Sequence, residues 1–394
     1  MPVNDTDFHH WLSELRRDFH KNPELSLQET RTTDRIVNIL DKLGIETQRF
    51  DDITGAMGLI TGSSKGKTIA LRADIDALPV TELNETDYKS EIDGVMHACG
   101  HDAHATIMLG VARKIIGTGL MEKLPGKVKF LFQPAEERVA GAHAMIERGV
   151  LENPRVDRVI AAHVTPQFEV GEIGIFEHLG FASSDRFVLT ITGKGGHGAR
   201  PEECNDPILA GAHFITQVQS IVSRNIKAQD AAVITVGKFT AGVASNVIPE
   251  TAVLEGTVRA LDKSVRALLI ERLNDLADGL EKPFGVKADF LLFEGVPPGL
   301  NDATVSADLF QAAATIVGEK NVAYIPPVMG AEDFAYFTQA RPGAMIRLGC
   351  ANHSKKIVHP LHSPRFDMDE KVLGIGVAIF YEAIKQYLCE KPES

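Results

Sequence analysis

The first half of the chain alternates short apolar runs of strand length with segments of helical periodicity such as ATIMLGVARKII. The strand-like runs are TIALRAD (68–74), KVKFLFQ (127–133) and DRVIAAH (157–163). This alternation predicts an α/β fold with a mixed, mostly parallel sheet and helices on both faces. Ligands of such sheets bind outside the carboxyl ends of the strands. Because the runs end in Asp74, in the turn 134–137 and in His163, we expect a functional site to contain these residues.

A helix is predicted just before this region. Ser26 and Glu29 have the spacing of a capping box, in which two side chains bond the backbone at the start of a helix. The segment RTTDRIVNILDKL that follows has one apolar face, and Gly44 marks its end.

A different pattern begins near residue 183. It contains, in order, FVLTITGK, PILAGAHFITQVQSIV, AAVITVGKFTAG, TAVLEGTVRAL, KSVRALLIERLNDLADGL and KADFLLFEG. Strand, helix, strand, strand, helix, strand is the order of a ferredoxin-like βαββαβ layer. A chain of 394 residues is also too long for one ordinary core. We therefore predict a domain of residues 183–296 inserted into a discontinuous domain of residues 1–182 and 297–394.

Composition excludes several classes of partner. A net charge of −12 without a basic stripe argues against nucleic acid and anionic lipid. No apolar run approaches the roughly 20 residues of a membrane span, and the N-terminal MPVNDTDFHHWLSELRRDF lacks the apolar segment of a secretory signal. Cytoplasmic location is the prediction. The four cysteines are scattered without paired spacing, which argues against disulfides and zinc fingers.

The densest group of chemically active side chains is MHACGHDAHA, residues 96–105. It contains His97, Cys99, His101, Asp102 and His104. Cys99 and His101 are two residues apart, so an extended turn can direct both toward one cation. A catalytic cysteine would use the same Cys99 beside a histidine, and this segment alone does not separate the two alternatives.

The adjacent Glu136 and Glu137 favour the metal. Two neighbouring carboxylates repel each other unless a cation or a shared proton compensates, so one can bind metal while the other transfers protons. A solvated acidic turn is the commoner origin of such a pair. His163 and His362 are each compatible with structural roles, but four separate turns with such residues favour a shared site.

A series of longer segments points to a known family. The segments are RADIDALP, MHACGHDAHA, FQPAEE, AAHV, GKGGHGARP, SNVIPE, GTVRA, GAEDFAYF and LHSPRFDMDE. In order and spacing they resemble the metallopeptidase family of aminoacylases and glutamate carboxypeptidases. The most similar branch is that of hippurate hydrolases, N-acyl-amino-acid amidohydrolases and indoleacetyl-amino-acid hydrolases. The resemblance implies hydrolysis of N-acyl amino acids by a metal-binding α/β domain with an inserted lid that pairs subunits.

Carried over by position, the resemblance implies two divalent metal ions, with zinc, manganese, cobalt and nickel all compatible. Their implied ligands are Cys99, His101, Glu137, His163 and His362, with Cys99 bridging. The resemblance implies that Glu136 is the general base and that Asp76 orients a metal ligand. Asp74 stands where other branches have a metal-binding histidine.

The resemblance also assigns residues in the inserted domain and after it. It implies that His197 donates a hydrogen bond to the oxyanion in the site of another subunit, within a homodimer or homotetramer. Asn246 and Arg259 would bind the substrate carboxylate, although a turn before Pro249 and a strand-edge charge explain them equally well. Glu332 would line the site.

Other functions stay open at this stage. A carboxypeptidase or an N-acetyl-diaminopimelate deacetylase would use the same site. A metal-binding protein without catalysis would show damage at Glu136 or at the ligands, and none is visible. A cysteine hydrolase with Cys99 as nucleophile predicts activity that survives chelation.

Overall fold

The computed structural model describes residues 5–389, which divide into two compact units. The first comprises residues 5–178, 300–326 and 336–389. The second comprises residues 179–299 and 327–335. The predicted insert 183–296 lies inside the second unit, and the segment 327–335 belongs to that unit as well.

The described residues form helices and strands in alternation. The helices are α1 (Asp5–Lys21), α2 (Thr30–Lys42), α3 (His101–Thr118), α4 (Gly141–Glu147), α5 (Pro207–Ser220), α6 (Lys263–Phe284), α7 (Ala303–Val317), α8 (Phe334–Ala340) and α9 (Lys371–Cys389). The strands are β1 (Glu46–Arg49), β2 (Ala56–Thr61), β3 (Thr68–Asp74), β4 (Lys127–Gln133), β5 (Arg158–Glu169), β6 (Ile173–Phe176), β7 (Leu179–Phe181), β8 (Asp185–Thr192), β9 (Gly196–His197), β10 (Ala232–Ala241), β11 (Val247–Ile248), β12 (Thr251–Ala260), β13 (Lys287–Phe293), β14 (Gly299–Leu300), β15 (Val322–Ile325) and β16 (Gly343–Ala351).

The first unit is built on an eight-stranded mixed sheet in the order β1-β2-β4-β3-β5-β16-β6-β15. Its central strands β4, β3, β5 and β16 are mutually parallel, and β1, β2 and β6 join by antiparallel pairing. The predicted α/β class with a mostly parallel sheet is confirmed. Parallel pairing brings the carboxyl ends of β3, β4 and β5 to one edge, where the polar residues that follow them meet.

The two faces of this sheet differ. Alternate side chains such as Leu71 on β3 and Phe130 on β4 belong to the main apolar core, which also contains side chains of α1, α3, α7 and α9. The opposite face carries buried polar groups, including Arg72 and Lys129. Lys129 Nζ donates to Val150 O at 2.9 Å, so the segment after α4 covers that face near β4. When both faces of a strand are buried, its side chains must be hydrophobic or must form hydrogen bonds within the protein, as β3 and β4 do.

Helix α9 is long and apolar enough to cross a membrane, yet more than half of its apolar window is buried within the protein. It contacts α3, α7 and β16 in the main core. Those contacts are typical of a core helix.

Helix α2 confirms the predicted helix but not its predicted start. It begins at Thr30, and the side chain of Glu29 makes no capping hydrogen bond. Glu24 takes that role, because its carboxylate accepts from Arg31 N at 3.0 Å and from Thr32 N at 2.7 Å. The predicted capping box of Ser26 and Glu29 is therefore wrong, since both side chains point toward other parts of the unit.

The second unit contains a four-stranded antiparallel sheet in the order β10-β12-β8-β13. This is the predicted ferredoxin-like strand order. Buried side chains of β8, including Phe187 and Leu189, form a separate core with α5 and α6. Asp185 at the start of β8 accepts two bonds from Arg266 of α6, at 2.8 and 2.6 Å, which attaches that helix to the sheet.

Candidate metal centre

Three potential metal ligands meet at the amino end of α3. Ligand atoms of Cys99, His101 and His163 all lie within 4.8 Å of one another, and the three residues are buried. Cys99 Sγ is 3.5 Å from Nε2 of His163. Gly100 makes this approach possible, because its φ is +85° and a Cβ there would lie 2.4 Å from Val164 Cγ2.

Hydrogen bonds orient both imidazoles toward the thiol. His101 donates from Nδ1 to Asp76 Oδ1 at 3.1 Å, and His163 donates from Nδ1 to Val164 O at 2.7 Å. Each ring therefore keeps Nε2 for another partner, and Nε2 of His101 is buried without a hydrogen bond. A bond at one ring nitrogen that leaves the other for a metal is the usual arrangement of histidine ligands.

Burial and neighbouring charges shift the pKa values of all three side chains. Burial alone lowers the pKa of His101, but the carboxylate of Asp74 raises it well above its usual value. Burial raises the pKa of the Cys99 thiol to about 12 and lowers the pKa of His163 well below its usual value. The protein alone therefore does not stabilise the thiolate expected of a nucleophilic cysteine.

Two of the further ligand groups that overlap the first contain residues of the glutamate turn. Cys99, Glu137 and His362 form one, and His101, Glu136 and Glu137 form another, each within 4.8 Å. His362 has a φ of +64°, and its Nε2 lies 3.3 Å from Glu137 Oε1. The close contact with the Glu137 carboxylate raises the pKa of His362. Thiolate, imidazole and carboxylate donors, some shared between groups, fit two adjacent divalent cations.

Asp76 connects the ligands to the glutamate turn. Besides His101, Oδ1 accepts from Glu136 N at 3.2 Å, and Oδ2 accepts from Glu137 N at 3.1 Å and Ser26 Oγ at 2.6 Å. Burial raises the pKa of Asp76, but the bond from His101 and the other donors lower it overall. Asp76 therefore lies where it can orient a histidine ligand and hold the backbone of both glutamates.

The other polar residues of the 96–105 segment have different partners. His104 bonds Asp74 through Nδ1 and accepts from Val164 N through Nε2, so both of its ring nitrogens are occupied. Asp102 bonds Arg16 Nε at 2.8 Å and His20 Nδ1 at 2.7 Å, which attaches the segment to α1. Both partners lie in the segment RRDFHK. Nothing in the spacing of that segment indicates a contact with residues some 80 positions away.

Asp74 lies beside the ligands, in a further group with His101 and His104, and both of its oxygens have protein partners. Arg72 Nη1 bonds its Oδ2 at 2.7 Å, and Arg72 Nε bonds Gln133 Oε1 at 2.7 Å. Burial raises the pKa of Asp74, but His101, Arg72 and His104 hold it well below its usual range. Sequence reasoning did not identify Arg72, which supplies the buried cation that this carboxylate needs.

Four predicted site residues lie in the second unit. His197 and Asn246 meet at one ribbon, since β9 pairs with β11 and Gly198 N donates to Asn246 O at 2.9 Å. Both side chains are exposed. Arg259 lies on β12 with partial burial, and buried Glu332 accepts from Phe334 N at 3.0 Å.

Comparison with known proteins decides the family. The model of peptidase family M20/M25/M40 matches residues 70–386. The chain belongs to this family. This M20 protein is 39% identical to N-acetylcysteine deacetylase of Bacillus subtilis (strain 168), over 96% of the chain and 97% of that relative. It is 37% identical to IAA-amino acid hydrolase ILR1-like 5 of Arabidopsis thaliana, over 98% of the chain and 89% of that relative.

A solved structure agrees. The M20 chain superimposes with a TM-score of 0.86 on a dinuclear metal binding peptidase of the M20 family from Bacillus subtilis, at 35% identity. The match covers 98% of this chain and 99% of that one. The predicted family and its amidohydrolase branch are confirmed, and this M20 protein is a metal-dependent hydrolase.

Proposed function

We propose that this M20 protein hydrolyses N-acyl amino acids to a carboxylic acid and a free amino acid. One observation carries the proposal. Cys99 Sγ belongs to two ligand groups at once, one with His101 and His163 and the other with Glu137 and His362. The activities for which two relatives are named, N-acetylcysteine deacetylase and IAA-amino acid hydrolase, support an acyl group on an amino acid as the substrate class.

These five residues would hold two divalent cations. Thiolate and imidazole donors suit zinc, and the carboxylate suits manganese, cobalt or nickel as well. Bound there, the cations would polarise an amide carbonyl and lower the pKa of water. The dinuclear metal binding relative supports the number of ions.

Glu136 would transfer the protons. Its side chain lies in the ligand group with His101 and Glu137, and it is almost fully buried. It would accept a proton from the water that attacks the carbonyl carbon and return it to the nitrogen as the C–N bond breaks. Asp76 would fix the direction of Glu136 through the bond from its backbone N–H.

The residues of the second unit enter as proposals from the family resemblance. Arg259 and Asn246 would bind the free carboxylate of the substrate, because a guanidinium presents two parallel donors to a carboxylate. His197 would donate to the developing oxyanion in the site of another subunit. Glu332 would line the site.

Assembly through the second unit would bring His197 to that position. Exposed apolar side chains on α5, on β10 and in the loop after it support such an interface. They are Ile208, Leu209, Phe239 and Val243. A homodimer or homotetramer is proposed, and light scattering after size exclusion gives the mass that tests it.

The first test is a substrate panel. Purified protein is given N-acetyl, N-benzoyl and indoleacetyl amino acids, N-acetyl-diaminopimelate and short peptides, before and after chelation. Manganese, zinc, cobalt and nickel are then added back separately. Metal-restored release of an amino acid from N-acyl substrates supports the proposal, and release from peptides alone would assign a carboxypeptidase instead. Activity that survives chelation would indicate nucleophilic catalysis by Cys99 instead of metal-dependent hydrolysis. No activity with any metal would indicate a binding role without catalysis.

A further inference from the structure

The turn that carries Glu136 is backbone-strained and held by buried carboxylates. Ala135 has a φ of +52°, a backbone conformation that residues other than glycine adopt only at an energetic cost. Three successive amide groups, those of residues 135, 136 and 137, donate to two carboxylates at 2.8, 3.2 and 3.1 Å. Asp76 accepts the second and third bonds, and Glu29 accepts the first.

The Glu29 side chain contacts the glutamate turn and does not cap a helix. Its side chain is fully buried, Oε1 accepts from Ala135 N, and Oε2 accepts from the Thr54 hydroxyl. Glu24 already accepts the amides at the start of α2, so the helix does not require the Glu29 carboxylate as a cap. A buried carboxylate is costly unless hydrogen bonds compensate it, and here a donor of the glutamate turn supplies one of them.

The surroundings fix Glu29 tightly. The Thr33 hydroxyl donates to Glu29 O at 2.6 Å and accepts from Gly55 N at 2.8 Å. Gly55 has a φ of +91°, and a Cβ there would lie 2.6 Å from Phe132 O and 2.7 Å from Pro134 Cδ. The loop beside Glu29 is therefore packed directly against the end of β4, where the turn begins.

Ser26, the other half of the predicted capping box, acts on the same turn from the other side. Its hydroxyl donates to Asp76 Oδ2 at 2.6 Å, the oxygen that also accepts Glu137 N. The chain just before Ser26 runs beside the residues after β3, since Ala77 N donates to Glu24 O at 2.8 Å. Both side chains of one short segment thus reach the backbone of the glutamate turn, Glu29 directly and Ser26 through Asp76.

We propose that Glu29 is a positioning residue for Glu136, because its carboxylate holds the Ala135 N–H and with it the strained backbone that precedes the general base. This inference rests on the proposed role of Glu136 as the proton carrier. Without an acceptor at Glu29, the strained turn would relax and move the Glu136 carboxylate away from the reacting water. A displacement of about 1 Å at a catalytic group costs on the order of 10²-fold in rate.

The test compares matched substitutions at two glutamates of the same segment. Glu29→Leu removes the acceptor, Glu29→Gln keeps a carbonyl oxygen that accepts from Ala135 N–H, and Glu24→Leu and Glu24→Gln are the controls at the helix cap. We expect Glu29→Leu to lower kcat by about 10- to 100-fold with KM changed less than about threefold, and with full metal content. Glu29→Gln should stay within about fivefold of the wild-type kcat. The Glu24 variants should lose thermal stability but keep kcat.

A kcat for folded Glu29→Leu within twofold of wild type would overturn the proposal, as would an equal loss in Glu24→Leu or in Glu29→Gln. If the leucine variant does not fold, Glu29→Asp decides, because it keeps the charge but draws the oxygen back from Ala135 N. It should lose kcat by more than about fivefold, and a wild-type value would contradict the inference.

Hydrogen exchange separates this inference from the proposed function. The amides of residues 135–137 should exchange faster in Glu29→Leu than in wild type, and at the wild-type rate in Glu24→Leu. Unchanged exchange in Glu29→Leu would show that Glu29 does not hold the turn. If the wild-type enzyme hydrolyses none of the panel, the proposed function fails, while the exchange result still reports on the turn.

Discussion

Nδ1 of His101 lies 3.1 Å from Oδ1 of Asp76, and the same carboxylate accepts the backbone amides of Glu136 and Glu137. One buried side chain therefore sets both the orientation of an imidazole ligand and the position of the two adjacent glutamates. A carboxylate that orients a metal-binding histidine also increases the basicity of that ligand. Both metal binding and proton transfer at this centre should therefore depend on Asp76.

Replacement of Asp76 by alanine should weaken metal binding by about 10- to 100-fold, because His101 loses the partner that fixes its ring. Titration calorimetry of the chelated protein with zinc or manganese measures this affinity. Asp302→Ala is the control, since Asp302 also accepts two backbone amides, Thr304 N at 2.9 Å and Val305 N at 3.0 Å, at the start of α7. Equal metal affinities in wild type and Asp76→Ala would contradict the orienting role.

The two adjacent glutamates should respond differently to substitution. Glu136→Gln should lower turnover by about 10²- to 10⁴-fold while the metal content stays at the wild-type level, because only the proton carrier is lost. Glu137→Gln should lower metal content as well. Elemental analysis and steady-state rates on the same preparations separate the effects, and a Glu136 variant with normal turnover would remove the proposed mechanism.

Thiol labelling distinguishes the metal centre from cysteine catalysis. Burial raises the pKa of both Cys99 and Cys350 to about 12, so neither should react with iodoacetamide at neutral pH in the native protein. Cys389 is exposed and should be labelled, with Cys204 following more slowly. Peptide mass spectrometry before and after denaturation gives the order. Preferential labelling of native Cys99 with loss of activity would favour the nucleophile.

Lys129 should give the protein a distinctive alkaline stability profile. Burial lowers the pKa of Lys129 from 10.5 to about 8. Between these values the unfolded state binds more protons than the folded state, so the free energy of unfolding should rise with pH, by about 1–3 kcal/mol in total. As pH falls through 8 this contribution is lost. Urea unfolding of wild type and Lys129→Met from pH 7.5 to 10.5 measures it, and parallel profiles would show that Lys129 keeps its proton.

Much of the architecture followed from local sequence patterns. Apolar runs of strand length predicted β3, β4 and β5, and the order of segments after residue 183 predicted the ferredoxin-like sheet. The grouping of Cys99, His101 and Glu137 was also foreseeable, because short motifs fix which side chains leave a turn together and parallel strands bring their ends to one edge. Roles for individual ligands came from the family resemblance.

Only the tertiary structure decided which polar side chains support those residues. Ser26 and Glu29 have the spacing of a helix cap, yet they bond Asp76 and Ala135, 50 and 106 residues away. His104 looks like a ligand in its motif but bonds Asp74 and Val164 instead. The spacing of residues in a short motif indicates only which neighbours a side chain can reach within its own segment. The choice between that local partner and a distant buried one depends on which group would otherwise lose its hydrogen bonds when the core closes.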